Sequence, residues 1–319
     1  MKILITGAAG FVGHHLIAQL KEINNSNDVQ IYAFVLNEKE KNAVDLPEEN
    51  IYIVDITNAK ALKQAISEIK PDTVYHLAAQ SSVGLSWKCP ALTYQVNITG
   101  TAILLEALDE FVPTASVLLI GSAEQYSVSA DDTQPIKEDH ALNGNNPYSV
   151  SKMTQEALAE LFLKKSQLRI IRVRAFNHIG AGQDTKFVIP DWCSQVIEME
   201  KNAEKQAVLK VGNVKVRRDF TDVRDIVKAY ILLAQKGING RIYNVGSGKS
   251  HSLEELLEII IANSTRKDIT WVVDENKLRP TDIMELCADV SSLKEATGWD
   301  AKISLNDTIY WIMEEMRKG

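Results

Sequence analysis

Cysteine is scarce in this chain: Cys89, Cys193 and Cys287 are the only three in 319 residues. Their number is odd, their spacing is wide and no C-x-x-C pair occurs. Neither a disulfide framework nor a zinc site is expected, and no metal is expected elsewhere. Each cysteine reads as a small buried hydrophobe. Long apolar runs are also missing, and none reaches the roughly 18–20 residues of a membrane span. No secretory leader is expected, because Met1-Lys2 leads straight into a motif, so a cytoplasmic protein is the expectation. There is no excess of positive charge. Lys and Arg total 35 against 42 Asp and Glu, a net charge of −7, and no block of like charge forms a tail. A nucleic-acid or anionic-membrane partner needs a positive field and is therefore not expected. Internal repeats and low-complexity linkers are absent as well.

What is present is ordinary for a soluble globular protein, with 45% hydrophobic and 24% charged residues. The length suits one large domain or two modest ones. Short apolar runs alternate with helical patterns: strands at 3–5, about 29–35, about 51–54, 73–77, 116–120 and 169–174. The helices between them include about 59–69, a long one at 91–110, and about 148–164. That alternation implies an α/β fold, a doubly wound parallel sheet of Rossmann type with helices on both faces. After about residue 178 the rhythm weakens. A helix at 189–201, a strand at 208–211, a helix ending in YILLAQ (230–235) and a strand at 241–245 follow. Ser252 with Glu255, and Ser292 with Glu295, are candidate capping boxes, and 305–316 is a last helix. The expected division is a dinucleotide-binding domain at 1–177 with a return segment at about 218–247. A smaller α/β substrate lobe would hold 178–217 and 248–319.

Residues 6–16 read TGAAGFVGHHL. Gly7, Gly10 and Gly13 are spaced G-x-x-G-x-x-G between a strand and a helix. Glycine permits a tight turn, close approach to a pyrophosphate and close helix–strand contact. Phe11 and Val12 would open the helix whose N-terminal N–H groups face the phosphates. Asp55 closes the strand IYIV and could accept from an adenine amino group; the competing role is a helix cap. The end of the second strand reads Phe34-Val35-Leu36-Asn37, with neither the acid that suits NAD nor the arginine that suits NADP. Lys39 or Lys41 could approach a phosphate or simply be solvated, so the choice between NAD(H) and NADP(H) stays open.

Residues 146–152 read NPYSVSK, placing Tyr148 and Lys152 four apart on one helix face. A nearby ammonium stabilises a phenolate, so a lowered Tyr148 pKa is expected. Ser122, just past the strand SVLLI, could hold the same substrate oxygen. Strand C-terminal ends are where ligands sit in such sheets. Glu124 lies two residues beyond Ser122.

TGAAGFVG, HLAAQSSV (76–83), the Ser122 segment and Y-x-x-x-K together resemble the extended short-chain dehydrogenase/reductase superfamily over essentially the whole chain. RAFNHIGAGQ (174–183), FVIPDW (187–192), VGNVKVRRDFTDVRDIVKAY (211–230), YNVGSG (243–248) and LRPTDI (278–283) are similar to its nucleotide-sugar branch. Within it they look most like the GDP-4-dehydro-6-deoxy-D-mannose reductases. Ala181 stands where proline is usual, and Leu36 where relatives often carry arginine. The resemblance implies that Ser122, Tyr148 and Lys152 are catalytic. Glu124 is the carboxylate that a dehydratase of this group would use, although the reductases tend to keep it too. It implies cofactor contacts from the glycine loop, Asp55, Ile56, Leu77, Ala78, Ala79, Asn97, Tyr148 and Lys152. Substrate contacts are implied for Ser81, Asn177, Val188, Arg218 and Arg279. Arg218 could instead pair with Asp219 or Asp222, and Asn177 could be a turn residue. His76 and His178 read as structural. The implied activity is NAD(P)H-dependent reduction of a 4-keto sugar nucleotide, with a GDP-sugar favoured. The alternatives are a GDP-mannose 4,6-dehydratase, a C4-epimerase and a non-catalytic dinucleotide sensor. A homodimer through helices 91–110 and 148–164 is also implied, with Val150, Met153, Ala157 and Leu161 as an apolar stripe.

Overall fold

A computed structural model describes residues 1–23, 29–129, 132, 134–202, 206–278 and 283–318. The first half runs β1 (Lys2–Thr6), α1 (Phe11–Ile23), β2 (Gln30–Val35), α2 (Glu38–Ala43), β3 (Ile51–Ile53), α3 (Ala59–Ile69) and β4 (Thr73–His76). It continues through α4 (Val83–Lys88), α5 (Pro90–Tyr94), a π-helical turn (Gln95–Gly100), α6 (Thr101–Phe111) and β5 (Ser116–Ser122). Then come α7 (Pro147–Lys165), β6 (Arg169–Ala175), β7 (Asn177–Ile179), α8 (Val188–Lys201), β8 (Val208–Val211) and β9 (Arg217–Asp222). The chain closes with α9 (Val223–Lys236), β10 (Ile242–Val245), β11 (Ser250–Ser252), α10 (Leu253–Ala262), β12 (Thr270–Val273), β13 (Glu285–Leu286), α11 (Ser291–Thr297) and α12 (Leu305–Lys318).

Seven of these strands form one all-parallel sheet in the order β10-β6-β5-β4-β1-β2-β3. Successive strand residues point to opposite faces. Ile3 and Ile5 therefore join one core with Leu16, Val227 and Tyr230 of α1 and α9. Leu4 joins the other with Leu62, Leu104 and Phe162 of α3, α6 and α7. Strands buried on both faces read as near-continuous apolar runs, as ILI and VLLI do. The order reverses between β1 and β4, so their C-terminal ends open a crevice.

A second sheet sets β11 and β13 on either side of β9, with β7 also paired to β9. β9 thus belongs to this smaller sheet, while α9 and β10 return to the large one. A third core packs α8, α10 and α12 around Trp192, Leu257 and Ile312.

Three local expectations are corrected. The helix at 91–110 is not continuous, because a π-turn interrupts it at Gln95–Gly100. The Thr101 hydroxyl donates to the Asn97 carbonyl at 2.7 Å, satisfying backbone that the irregular turn redirects. Ser292 does not cap a helix. It lies inside α11, whose N-cap is Val290, and its hydroxyl faces Glu138. Ser252 does cap α10 by accepting from Glu255 N–H at 3.1 Å, but the Glu255 carboxylate turns to Arg217 and His251 instead of completing a box.

Candidate active site

The glycine loop is built for close approach. Gly7 has φ +67°, and a Cβ there would lie 2.8 Å from Ala78 backbone atoms. A Cβ on Gly13 would lie 2.4 Å from the Ala8 carbonyl oxygen. The first turn of α1, opened by Phe11 and Val12, carries no acidic residue to compete with an anion. Leu77, Ala78 and Ala79 follow β4 directly across from Gly7. This cradle fits a pyrophosphate at the sheet's crevice. Asp55 is exposed and does not cap α3, which Asn58 caps. Its carboxylate accepts from Thr57 N–H and Oγ, both at 2.8 Å. Ile56 is buried against the π-turn, where a Cβ on Gly100 would meet its Cδ1.

A chain of buried hydrogen bonds ties this cradle to α7. Thr6 Oγ accepts from Ala78 N–H at 3.1 Å and contacts His76 Nδ1 at 2.8 Å. His76 Nε2 contacts Thr101 Oγ at 2.9 Å. Because Thr101 and Thr6 each spend a proton or an acceptor elsewhere, the network is consistent with neutral His76 donating from Nε2. Burial first, and the Lys152 charge second, push its pKa down to about 3. His76 is structural, as expected. Asn97 is fully buried. Its amide donates to Gln80 O at 3.0 Å and Ser151 Oγ at 2.9 Å, and its oxygen accepts from Gln80 N–H at 2.8 Å. Ser151 in turn donates to the Tyr148 carbonyl at 2.7 Å.

Tyr148 enters through the start of α7. Asn146 and Ser149 cap each other reciprocally, and Pro147 occupies the first helical position, where its missing N–H costs nothing. Tyr148 is therefore in the first turn, with Lys152 one turn on. Ser122 ends β5 and caps a 3₁₀ turn at Ala123–Gln125, its Oγ accepting from Glu124 N–H at 3.2 Å. Its hydroxyl also meets the Tyr148 phenol. Burial pushes the Tyr148 phenol up to about 12; a hydrogen bond with Ser122 offsets part of this and the Glu124 charge adds to it. The expected lowering by Lys152 is thus reversed. The Lys152 ammonium is engaged elsewhere, donating to Ile120 O at 2.8 Å and Gln155 Oε1 at 3.0 Å. Burial lowers Lys152 itself to about 7.

Sequence reasoning missed the support beneath Ser122. Gln125 Oε1 accepts from Ser122 N–H at 2.8 Å, and Gln125 Nε2 donates to Glu156 at 3.2 Å. Glu156 holds Arg174 through two bonds of 3.0 and 2.6 Å, and Arg174 also donates to Glu138 O at 2.8 Å. Two signals were readable. Ser122-x-x-Gln125 is a capping-box pattern, and Glu156 lies four residues after Lys152 on the same helix.

On the substrate side, Ser81 and Asn177 are exposed, Asn177 at the start of β7. Val188 opens α8 and packs against the third core. Arg218 lies on β9 opposite His251 and Leu286 and donates to Arg217 O. The carboxylates suggested as its partners are committed elsewhere. Asp222 binds Arg224 at 2.7 Å, and Asp219 accepts from Ser247, Gly248 and Ala288. Arg279 lies outside the described residues. No cluster of metal-ligating side chains occurs among the described residues. No helix among them is long and apolar enough to cross a membrane.

Comparison with known proteins places this geometry. A family model described as GDP-mannose 4,6 dehydratase matches residues 4–312. A GDP-6-deoxy-D-mannose reductase from Pseudomonas aeruginosa is 32% identical over 98% of this chain and 96% of its own length. A solved structure of RMD from Pseudomonas aeruginosa complexed with NADPH superposes with a TM-score of 0.87 at 30% identity, covering 99% of each chain. A UDP-glucose 4-epimerase from Thermotoga maritima with UDP-glucose gives a TM-score of 0.87 at 25% identity, over 100% of this chain and 99% of that one.

Proposed function

The chain belongs to the GDP-mannose 4,6-dehydratase family, in the nucleotide-sugar branch of the extended short-chain dehydrogenases/reductases, and from that premise we propose that it is a 4-keto sugar-nucleotide reductase. The substrate is a nucleoside-diphosphate 6-deoxy-4-keto-hexose, GDP-4-dehydro-6-deoxy-D-mannose first, and the product a GDP-6-deoxy-hexose of the GDP-D-rhamnose type. The observation that carries this reading is the buried phenol of Tyr148, set at the start of α7 one helical turn from the buried Lys152 and near Ser122 at the end of β5, in a chain whose first loop is a glycine cradle.

A reduced nicotinamide supplies the hydride for sugar C4. Tyr148, neutral at working pH, gives its proton to O4 as the carbonyl becomes an alkoxide. Ser122 orients the keto oxygen, its hydroxyl turning to the substrate from the Tyr148 phenol that it meets in the unliganded site. Lys152, buried and with a depressed pKa, sits one turn below, where the nicotinamide ribose and the proton path would meet it. Gly7, Gly10, Phe11, Val12 and Gly13 hold the pyrophosphate, with Asp55, Ile56, Leu77, Ala78, Ala79 and Asn97 lining or supporting the dinucleotide. Ser81, Asn177, Val188, Arg218 and Arg279 bind the sugar nucleotide, arginine because its fork matches phosphate. The division into a dinucleotide domain at 1–177 with a return segment, and a sugar-nucleotide lobe, belongs to the same proposal.

A homodimer is also part of it. On α7, Val150 and Leu161 are exposed at 36% and 58%, and Ala157 is exposed between them. Leu92 of α5 and Trp87 of α4 add exposures of 47% and 62%. Met153 of the same stripe is half-buried, so most of the stripe faces outward, which supports a partner surface.

A second reading, a 4,6-dehydratase, is favoured by one observation: Glu124 sits in the 3₁₀ turn that Ser122 caps, which brings a carboxylate next to the Ser122 and Tyr148 pair. Net cofactor consumption separates the two. With GDP-4-keto-6-deoxymannose, the reductase reading expects stoichiometric loss of reduced nicotinamide absorbance and none with GDP-mannose. A keto sugar formed from GDP-mannose, with no net cofactor loss, would establish the dehydratase instead.

A further inference from the structure

The edge of the cofactor cradle carries a discriminating group that sequence spacing hides. The Ala8 N–H donates to Phe34 O at 3.2 Å, which fixes the end of β2 against the glycine loop. Two residues on, Leu36 is 59% exposed at this edge. Its N–H donates to Glu40 Oε2 at 2.8 Å. Asn37 caps α2 by accepting from Glu40 N–H at 3.0 Å, and its amide faces Glu40 Oε1 at 3.5 Å. The Glu40 side chain therefore folds back from α2 onto the strand end. It brings a carboxylate to the position where an adenosine ribose meets a sheet of this topology. The donors that a 2′-phosphate would use there, Leu36 N–H and the first-turn Glu40 N–H, are already taken.

Nearby cations do not offset this. Lys41 is held by Glu48 at 2.7 Å, and the first turn of α2 carries Glu38 and Glu40 around a single lysine, Lys39. A carboxylate accepts well from a ribose 2′-OH and repels a 2′-phosphate.

We propose that Glu40 is the cofactor-specificity residue and that the chain takes NADH in preference to NADPH. The inference rests on the reading of the glycine loop as a dinucleotide cradle. It assigns the role to a residue four positions beyond the strand end, delivered by a side-chain-to-backbone bond, whereas the strand end itself, Leu36-Asn37, is uninformative.

The test is direct binding, measured by calorimetry on the purified chain with NADH, NADPH and adenosine 2′,5′-bisphosphate. NADH is expected to bind about tenfold or more tightly than NADPH, because juxtaposed like charges oppose binding strongly. Glu40→Gln should tighten NADPH and the bisphosphate and weaken NADH, whose ribose loses a charged acceptor, so the ratio shrinks from both sides. Leu36→Arg should shrink it further. Thermal melts of both variants should match the parent, since neither side chain is in a core. NADPH binding as tightly as NADH in the parent, or a ratio that Glu40→Gln leaves unmoved, would overturn the inference while the cradle stands. Binding of neither dinucleotide would overturn the cradle and this inference together.

Discussion

Arg174 and Glu156 form a buried ion pair, with side chains 3% and 11% exposed, directly beneath the Ser122 turn. Replacing Arg174 with Met leaves a carboxylate in a largely dry site. Removing one partner of such a pair costs about 3–5 kcal/mol, because the remaining charge keeps its desolvation penalty without compensation. For a chain of this size that corresponds to a fall in Tm of roughly 4–8 °C. Glu156→Leu alone should cost a similar amount by stranding the guanidinium. The double variant should cost far less than the sum, because an apolar pair of similar volume needs no compensation. Thermal or urea melts of the parent, both single variants and the double variant close the cycle. Gln125 Nε2 loses its acceptor in the double variant, so kcat should still drop even where stability returns, with dinucleotide affinity kept. Additive single costs would refute the idea that uncompensated charge is the cause. An unchanged kcat in the double variant would refute the chain of support from Glu156 through Gln125 to Ser122.

Three further outcomes are expected. Tyr148→Phe should lower kcat by about 10²–10⁴-fold, the usual contribution of a positioned acid, with sugar-nucleotide and dinucleotide affinities roughly kept; a near-parental rate would remove Tyr148 as the acid. His76, pushed down to about 3 from its ordinary 6.5, stays neutral when folded, while the unfolded chain takes up its proton near 6.5. Stability should therefore decline as pH falls from about 6.5 towards 3. His76→Asn should flatten the upper part of that decline in melts between pH 7 and 5, and parallel curves for the two proteins would contradict it. Light scattering should give twice the monomer mass, and Leu161→Glu with Val150→Glu should reduce it to one; a monomeric parent would remove the proposed interface.

Much of the fold was legible because its strands are buried on both faces. ILI, VLLI and IIRV give continuous apolar runs, and the glycine spacing marks where the first strand turns into a helix. The pairing of Tyr148 with Lys152 followed from helical periodicity alone. The sign of the Tyr148 shift did not, because it depends on burial and on where the Lys152 ammonium points. That ammonium finds Ile120 O, from a strand 32 residues away in sequence. The bend at Asn97 was hidden for a similar reason, since it is held by Gln80 and Ser151, neither of them local. Periodicity also shows that Val150, Met153, Ala157 and Leu161 share a face without showing which way it turns. Glu40 gave no signal in the sequence, because its bond to Leu36 N–H runs backwards past the strand end.

The central claim, hydride delivery to sugar C4 with Tyr148 returning the proton, has one direct measurement. The protein would be given GDP-4-keto-6-deoxymannose with a reduced nicotinamide cofactor deuterated on the transferred position, and the product analysed by mass spectrometry and NMR. The account predicts one deuterium per product molecule, located at C4, with one cofactor oxidised for each. Product without deuterium, or cofactor left reduced while the sugar is altered, would contradict it.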